Sequence, residues 1–159
     1  MLKPKVYLDT SVISHLLADD TPEKRDDTLK LWTQLKQGQY EVVVSPVVFE
    51  EIDKCKTNEE KEALLLALNE LTYSYVEETL EMRSLAEEYL KTGVLKEKST
   101  DDCRHIAIAS KESCKYILSW NMKHFVKLKT IEMVKEVNER LGYFQPTIWT
   151  PNIFIEGDD

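Results

Sequence analysis

The stretch VVVSPVVFEEI, residues 42–52, passes from one kind of structure to another without a spacer. Val42-Val43-Val44 is a β-branched run with no polar alternation, the pattern of a strand buried on both faces of a parallel sheet. Ser45-Pro46 opens a helix directly behind it, since Ser suits the N-cap and Pro the first helical position. On that helix Val47, Val48, Ile52 and Cys55 share one face at 3.6 residues per turn. Glu51 falls among them, whereas Glu50 projects away. A carboxylate on an inward face is costly unless it is paired, protonated or bound to a cation. Glu51 is therefore a candidate site residue, and Glu50 an ordinary surface glutamate.

The same strand-then-helix unit recurs along the chain. Val6 to Leu8 is a short apolar strand, followed by an apolar helix from near Thr10. Thr21 as N-cap and Pro22 as first residue open a helix that runs to about Gln37 and stops at Gly38. Thr57-x-x-Glu60 is a capping box for another. Thr72 to Val76 reads as a strand, and Thr79 to Lys91 as a helix that Gly93 stops. Ser99-x-x-Asp102 resembles a second capping box, ahead of the small-apolar helix CRHIAIAS. Tyr116 to Leu118 is a buried strand, Thr130 to Leu141 a late helix, and Thr147 to Thr150 a final strand. Alternation at this spacing predicts an α/β fold, a mostly parallel sheet with helices on both faces. No linker or repeat divides the chain, so residues 1–159 are expected to form a single domain. Ligands of such sheets lie at the carboxyl ends of the strands.

The composition is ordinary for a globular chain, with 42% hydrophobic and 31% charged residues. The early apolar run is broken by Lys3, Pro4, Lys5 and Asp9, so no signal peptide is read. No apolar run approaches the roughly 20 residues of a membrane span, and a cytoplasmic location without membrane contact is expected. Cys55, Cys103 and Cys114 are odd in number and lack C-x-x-C spacing, which excludes a disulfide framework and a zinc knuckle; buried, reduced thiols are expected. The net charge of −8 argues against binding nucleic acid through a broad basic surface. It is compatible with a substrate held by a metal and a local cluster of Lys and Arg.

Two further acids lie where a ligand would be expected. Asp9 directly follows the first strand, and its alternative role is to cap the helix behind it. Of Asp101 and Asp102, the second shares the side of the helix that carries Ile106 and Ala109, while Asp101 projects towards Arg104, Lys111 and Glu112. Asp102 also has the capping role open to it. Asn121 follows the strand ending in Ser119-Trp120, where an amide oxygen suits either a hard cation or a tight turn. Three carboxylates and an amide thus map to one edge of the sheet. Oxygen-rich clusters of this kind favour Mg²⁺ or Mn²⁺ over Zn²⁺. The chemistry such ions serve best is phosphodiester transfer.

The blocks VYLDTSVIS, SPVVFEEI, DDCRHIAIA and ILSWNMKHF resemble, in order and spacing, the four sequence blocks of PIN-domain proteins. The likeness extends to the closing TPNIFIE segment. It implies a three-layer α/β sandwich around a short parallel sheet and an Mg²⁺- or Mn²⁺-dependent ribonuclease, many bacterial members being VapC-type toxins of toxin–antitoxin pairs. On the matching blocks it implies that Asp9, Glu51 and Asp102 bind the metal, with Asn121 at the position of a fourth acid in the catalytic set. Asn there leaves a less negative site. Thr10 or Ser11 would donate a hydroxyl to water or phosphate at the ion, and Lys123 and His124 would contact a scissile phosphate. His105, three residues from Asp102, either belongs to this supporting set or is a packed core histidine, and His15 is read as structural. The partners implied are an RNA substrate, an antitoxin and a second copy of the chain in a homodimer.

Two functions of different class remain open at this point: a metal-dependent endoribonuclease, and a PIN-like nucleic-acid- or protein-binding module with little activity. A haloacid-dehalogenase-type phosphatase needs a second acid at position 11, where Ser11 stands. Dinucleotide binding needs a G-x-G-x-x-G turn, which the chain lacks.

Overall fold

The computed structural model describes residues 2–157; Met1, Asp158 and Asp159, the ends of the expected 1–159 domain, lie outside the described residues. The alternating apolar runs form β1 (Lys5–Leu8), β2 (Glu41–Val44), β3 (Tyr73–Tyr75), β4 (Tyr116–Leu118) and β5 (Thr147–Trp149). All pair in parallel, in the spatial order β3-β2-β1-β4-β5. The helices between them are α1 (Thr10–Ser14), α2 (Pro22–Lys36), α3 (Pro46–Ile52), α4 (Asn58–Asn69), α5 (Leu80–Lys91), α6 (Thr100–Lys111) and α7 (Leu128–Leu141). A last helix, α8 (Pro151–Glu156), turns the closing TPNIFIE segment back onto α2. None of these helices is long and apolar enough to cross a membrane.

Strand periodicity divides the buried residues into two cores. Tyr7, Val43, Ile117 and Ile148 face one layer, built with α5, α6 and α7. Val6, Leu8, Val42, Val44 and Leu118 face the other, with α1, α2, α4 and α8. The result is the three-layer sandwich, a sheet covered on both sides, as a wholly parallel sheet requires. On α5, Met82, Leu85, Ala86 and Tyr89 recur at helical spacing and are buried against α6. That contact also buries Ile108, which lies on the nominally polar side of α6. Helix α6 is thus buried without a break from His105 to Ser110.

The caps depart from the sequence reading in an instructive way. Thr57 accepts from the Glu60 backbone N–H at 3.1 Å, as a cap should. Ser99, in contrast, makes no side-chain cap bond, because a short 3₁₀ turn over Glu97–Ser99 already leads into α6. Asp102 is released from the capping role. Gly38, Gly93 and Gly142 all sit at positive φ behind α2, α5 and α7. The three thiols are free, and burial pushes Cys103 and Cys114 up to about 12.

The chain order places β2 and β3 on one side of β1 and β4 and β5 on the other. Between β1 and β4 the strand order reverses, which opens a crevice at their carboxyl ends. Leu8 pairs with Leu118, and the Asp9 N–H donates to the Leu118 carbonyl at 3.0 Å. The residues directly behind both strands therefore stand side by side at that crevice.

Ile117 lies fully buried in the sheet centre. Ile117→Ala should cost about 2–5 kcal/mol in urea unfolding. Leu66→Ala, on a residue 69% exposed, should stay within about 0.5 kcal/mol.

Candidate metal centre

Asp9 occupies the N-cap position of α1, yet its side chain makes no cap bond. Its Oδ2 accepts instead from the Ser11 hydroxyl at 2.5 Å and the Ser119 hydroxyl at 2.8 Å. Only 4% of Asp9 is exposed. Two short bonds to one oxygen lock the carboxylate and leave Oδ1 towards His105, 3.4 Å from its Nε2.

Glu51 reaches the same place from α3. Its Oε1 accepts from the Thr10 hydroxyl at 2.8 Å and pairs with His105 Nε2 at 2.5 Å. One ligand atom each of Asp9, Glu51 and His105 lie within 4.8 Å of one another. The tightest cluster among the described residues thus contains His105, for which the sequence left either a site role or a core role open. Both descriptions hold. His105 has no exposed surface, and its Nδ1 meets Tyr7 Oη at 2.5 Å, which in turn meets Ser45 Oγ at 2.7 Å. Burial disfavours an imidazolium here, but the bond to Glu51 and the nearby Asp9, Glu51 and Asp102 charges outweigh it and raise the pKa. Burial likewise pushes Glu51 up, and its bond to His105 pulls it down further, so Glu51 is the ionised partner. The proton on His105 balances carboxylates that no lysine or arginine touches directly.

Asp102 stands on the first turn of α6, outside that cluster. Burial, then the Asp9 charge, raises its carboxyl to about 7, with Glu51 and Asp101 adding to the rise. Asn121 donates its Nδ2 to Asp102 Oδ2 over a long 3.5 Å, while its Oδ1 accepts from the His124 N–H at 3.1 Å. The amide oxygen is thus used inside the turn, and the neutral amino group faces Asp102. Thr10 and Ser11, read as donors to water or phosphate, spend their hydroxyls on Glu51 and Asp9. His15 donates to the Ser11 carbonyl at 2.7 Å and packs beside Trp120.

The two acids that helical projection turned outward meet elsewhere. Arg104 binds Glu50 at 2.9 Å, Asp101 at 3.0 Å and Glu78 at 2.7 Å. Ser119 and Ser45 were missed, since single hydroxyls behind strands carry no periodic signal, and Tyr7 was missed because a tyrosine inside an apolar strand reads as core. The strand register that sets Ser119 beside Asp9 becomes visible only once β1 and β4 pair.

The donor set fits a hard divalent cation: Asp9 and Glu51 converge from two elements, and Asp102 on a third is held protonated near neutrality by burial and by the Asp9 charge. A raised carboxyl pKa stabilises the fold below the unfolded value, and that contribution is lost as pH rises through about 7. In EDTA, the melting temperature should therefore fall between pH 5 and pH 8. Asp102→Asn should flatten that fall and raise the value at pH 8 by roughly 3–6 °C. An unchanged profile would show that Asp102 does not carry the proton.

No curated protein sequence matches the chain. The structure superposes on three solved structures at low identity. These are VapBC2 of Rickettsia felis bound to a DNA fragment from their promoter (TM-score 0.59, 12% identity, 92% of this chain and 98% of that one), and VapBC-1 of nontypeable Haemophilus influenzae (0.58, 12%, 92% and 98%). The third is Mycobacterium tuberculosis VapC20, described as a Sarcin-Ricin loop cleaving toxin (0.58, 16%, 74% and 91%). At such identities they share the fold. The PIN domain family model matches residues 6–127, a span that includes Asp9, Glu51, Asp102, His105 and Asn121. With that match over most of its length, the chain belongs to the PIN-domain family.

Proposed function

We propose that the protein is an Mg²⁺- or Mn²⁺-dependent endoribonuclease, acting in the cytoplasm as the toxin of a toxin–antitoxin pair. The observation that carries this reading is the meeting of Asp9 and Glu51 with His105 inside 4.8 Å, at the crevice where the strand order reverses. Asp9, Glu51 and Asp102 would hold the ion. The chemistry it supplies is acidification of water and neutralisation of charge at the phosphorus.

The protein's own part is to hold these oxygens still. Ser11 and Ser119 fix Asp9 Oδ2, and Thr10 fixes Glu51 Oε1. His105, braced by Tyr7 and Ser45, keeps the two carboxylates from springing apart when no cation neutralises them. Asp102 would have to give up its proton to hold a cation, so affinity for the ion should rise with pH through neutrality. RNA as substrate is supported by the VapC20 relative, a toxin that cleaves the Sarcin-Ricin loop. A partner antitoxin is supported by the VapBC structures that share the fold.

Asn121 favours a second reading, a binding module with little turnover, because it contributes no charge and spends its oxygen on His124. Cleavage of single-stranded and structured RNA with Mn²⁺ or Mg²⁺ decides between them. Asp9→Asn, Glu51→Gln and Asp102→Asn should each lose more than the roughly 10–100-fold that follows loss of an outer partner of a ligand. Glu50→Gln should retain most activity, since Glu50 sits on Arg104. Activity surviving both Asp9→Asn and Asp102→Asn would overturn the nuclease reading.

A further inference from the structure

The chain carries eight more acidic than basic charges, so a lysine placed at random should find a carboxylate. All four arginines do, as do Lys5, Lys36, Lys54, Lys61, Lys91 and Lys111. Lys3, Lys24, Lys30, Lys56, Lys115 and Lys135 make no ion pair among the described residues but are scattered along the chain, whereas the remaining five gather in one place. Lys96, Lys98, Lys123, Lys127 and Lys129 line one cleft of about 460 Å³, together with His124. No carboxylate lines it, and none of the five makes an ion pair among the described residues. Five like charges gathered without a counter-ion repel one another unless an anion from outside joins them.

The backbone of the cleft is arranged for the same partner. Helix α7 begins in its wall with Lys127 as N-cap, no side-chain cap and no acid in its first turn. Its first helical bond runs from the Ile131 N–H to the Lys127 carbonyl, so the N–H groups of Leu128, Lys129 and Thr130 precede the ladder. Free N–H groups at a helix start, with the positive end of its dipole, form an anion site. A second, independent feature points there too. Thr130 lines the cleft, has no exposed surface, and its Oγ1 lacks any hydrogen-bond partner. A buried hydroxyl left unsatisfied destabilises the fold, and an anion seated at the α7 start would accept its hydrogen bond.

The cleft adjoins the metal centre along the chain on both walls. Lys98 precedes Asp102 by one helical turn, and Lys123 follows Asn121, whose Oδ1 already takes the His124 N–H. We propose that this cleft binds the phosphodiester backbone of the nucleic acid away from the bond being cut, with one phosphate on the α7 N-terminus and Thr130. The assignment rests on the nuclease reading for its substrate class. It explains how a protein of net charge −8 holds a polyanion: through one local cluster, with the remaining surface acidic.

The test uses the full chain with Asp9→Asn, in EDTA, and a fluorescein-labelled 20-nucleotide single-stranded RNA read by polarisation. Lys127→Ala/Lys129→Ala should weaken binding by about tenfold and lower the slope of log K against log salt by about 1.4, two contacts at about 0.7 each. Lys30→Ala/Lys135→Ala, on exposed lysines elsewhere, should leave both unchanged. Thr130→Val should raise the melting temperature of the free protein by roughly 3 °C while weakening RNA binding, a pairing that loss of packing would not produce. Unchanged affinity and salt slope in the double lysine variant would overturn the proposal. So would an equally charged polyglutamate peptide binding as tightly as the RNA, since the cleft would then be a docking surface for acidic protein. With Asp9 restored and Mn²⁺ present, the two readings fail separately. Cleavage with a KM indifferent to Lys127 and Lys129 removes the cleft alone, whereas lysine-dependent binding with no cleavage removes the nuclease alone.

Discussion

Carboxylates repel one another, and the crevice between β1 and β4 exists around a set of them. Asp9 is held there by hydroxyls from α1 and from the end of β4, Glu51 by a hydroxyl from α1, and both by the buried imidazole of His105. The chain behind that imidazole runs through Tyr7 to Ser45, so it crosses from α6 through β1 to the end of β2. Each member closes a hydrogen bond that would otherwise be left open in a place without water. The centre is thus tied into the core layer, and packing and site geometry are one problem. Tyr7, a fully buried sheet residue, also serves the site.

A second network keeps unwanted charge out. Glu50 and Asp101 are sequence neighbours of Glu51 and Asp102, and either could crowd the crevice if its helix turned. Arg104 gathers both, together with the almost wholly covered Glu78, on the flank of α6. Hydrogen bonds from Arg104 hold Glu78 below the usual carboxylate range, while burial pushes it the other way. The arginine therefore ties the outer faces of α3 and α6 together. The inner acids face the crevice, the outer ones face Arg104.

Much of this was legible in the residues. Helical projection separated Glu51 from Glu50, and in the structure Glu50 goes to Arg104 while Glu51 meets Asp9 and His105. Asp9 could be placed because it follows an apolar run directly. His105 could not, since a histidine among small apolar residues has the same pattern whether it fills a core or balances a carboxylate. Here it does both. The capping box at Ser99 was a false signal: the motif is local, and a preceding 3₁₀ turn removed the geometry it needs. Ile108 does not fit a single inward face because α5 covers a second face of α6.

By itself the sequence determined the strands, their helices and hence the layered parallel class, because hydrophobic period and caps are properties of short windows. It also determined which carboxylate of each neighbouring pair points inward, since that follows from 100° per residue. Only the tertiary structure decided which inward groups meet. Strand order β3-β2-β1-β4-β5 brings Ser119 to Asp9 across 110 residues and His105 to Glu51 across 54. It also brings together lysines from two separate loops around one uncapped helix start. Those pairings depend on register and crossover, which no local pattern encodes. The charge on each group then follows from its neighbours, so Asp102 keeps a proton near neutrality and His105 gains one only after the chain has folded.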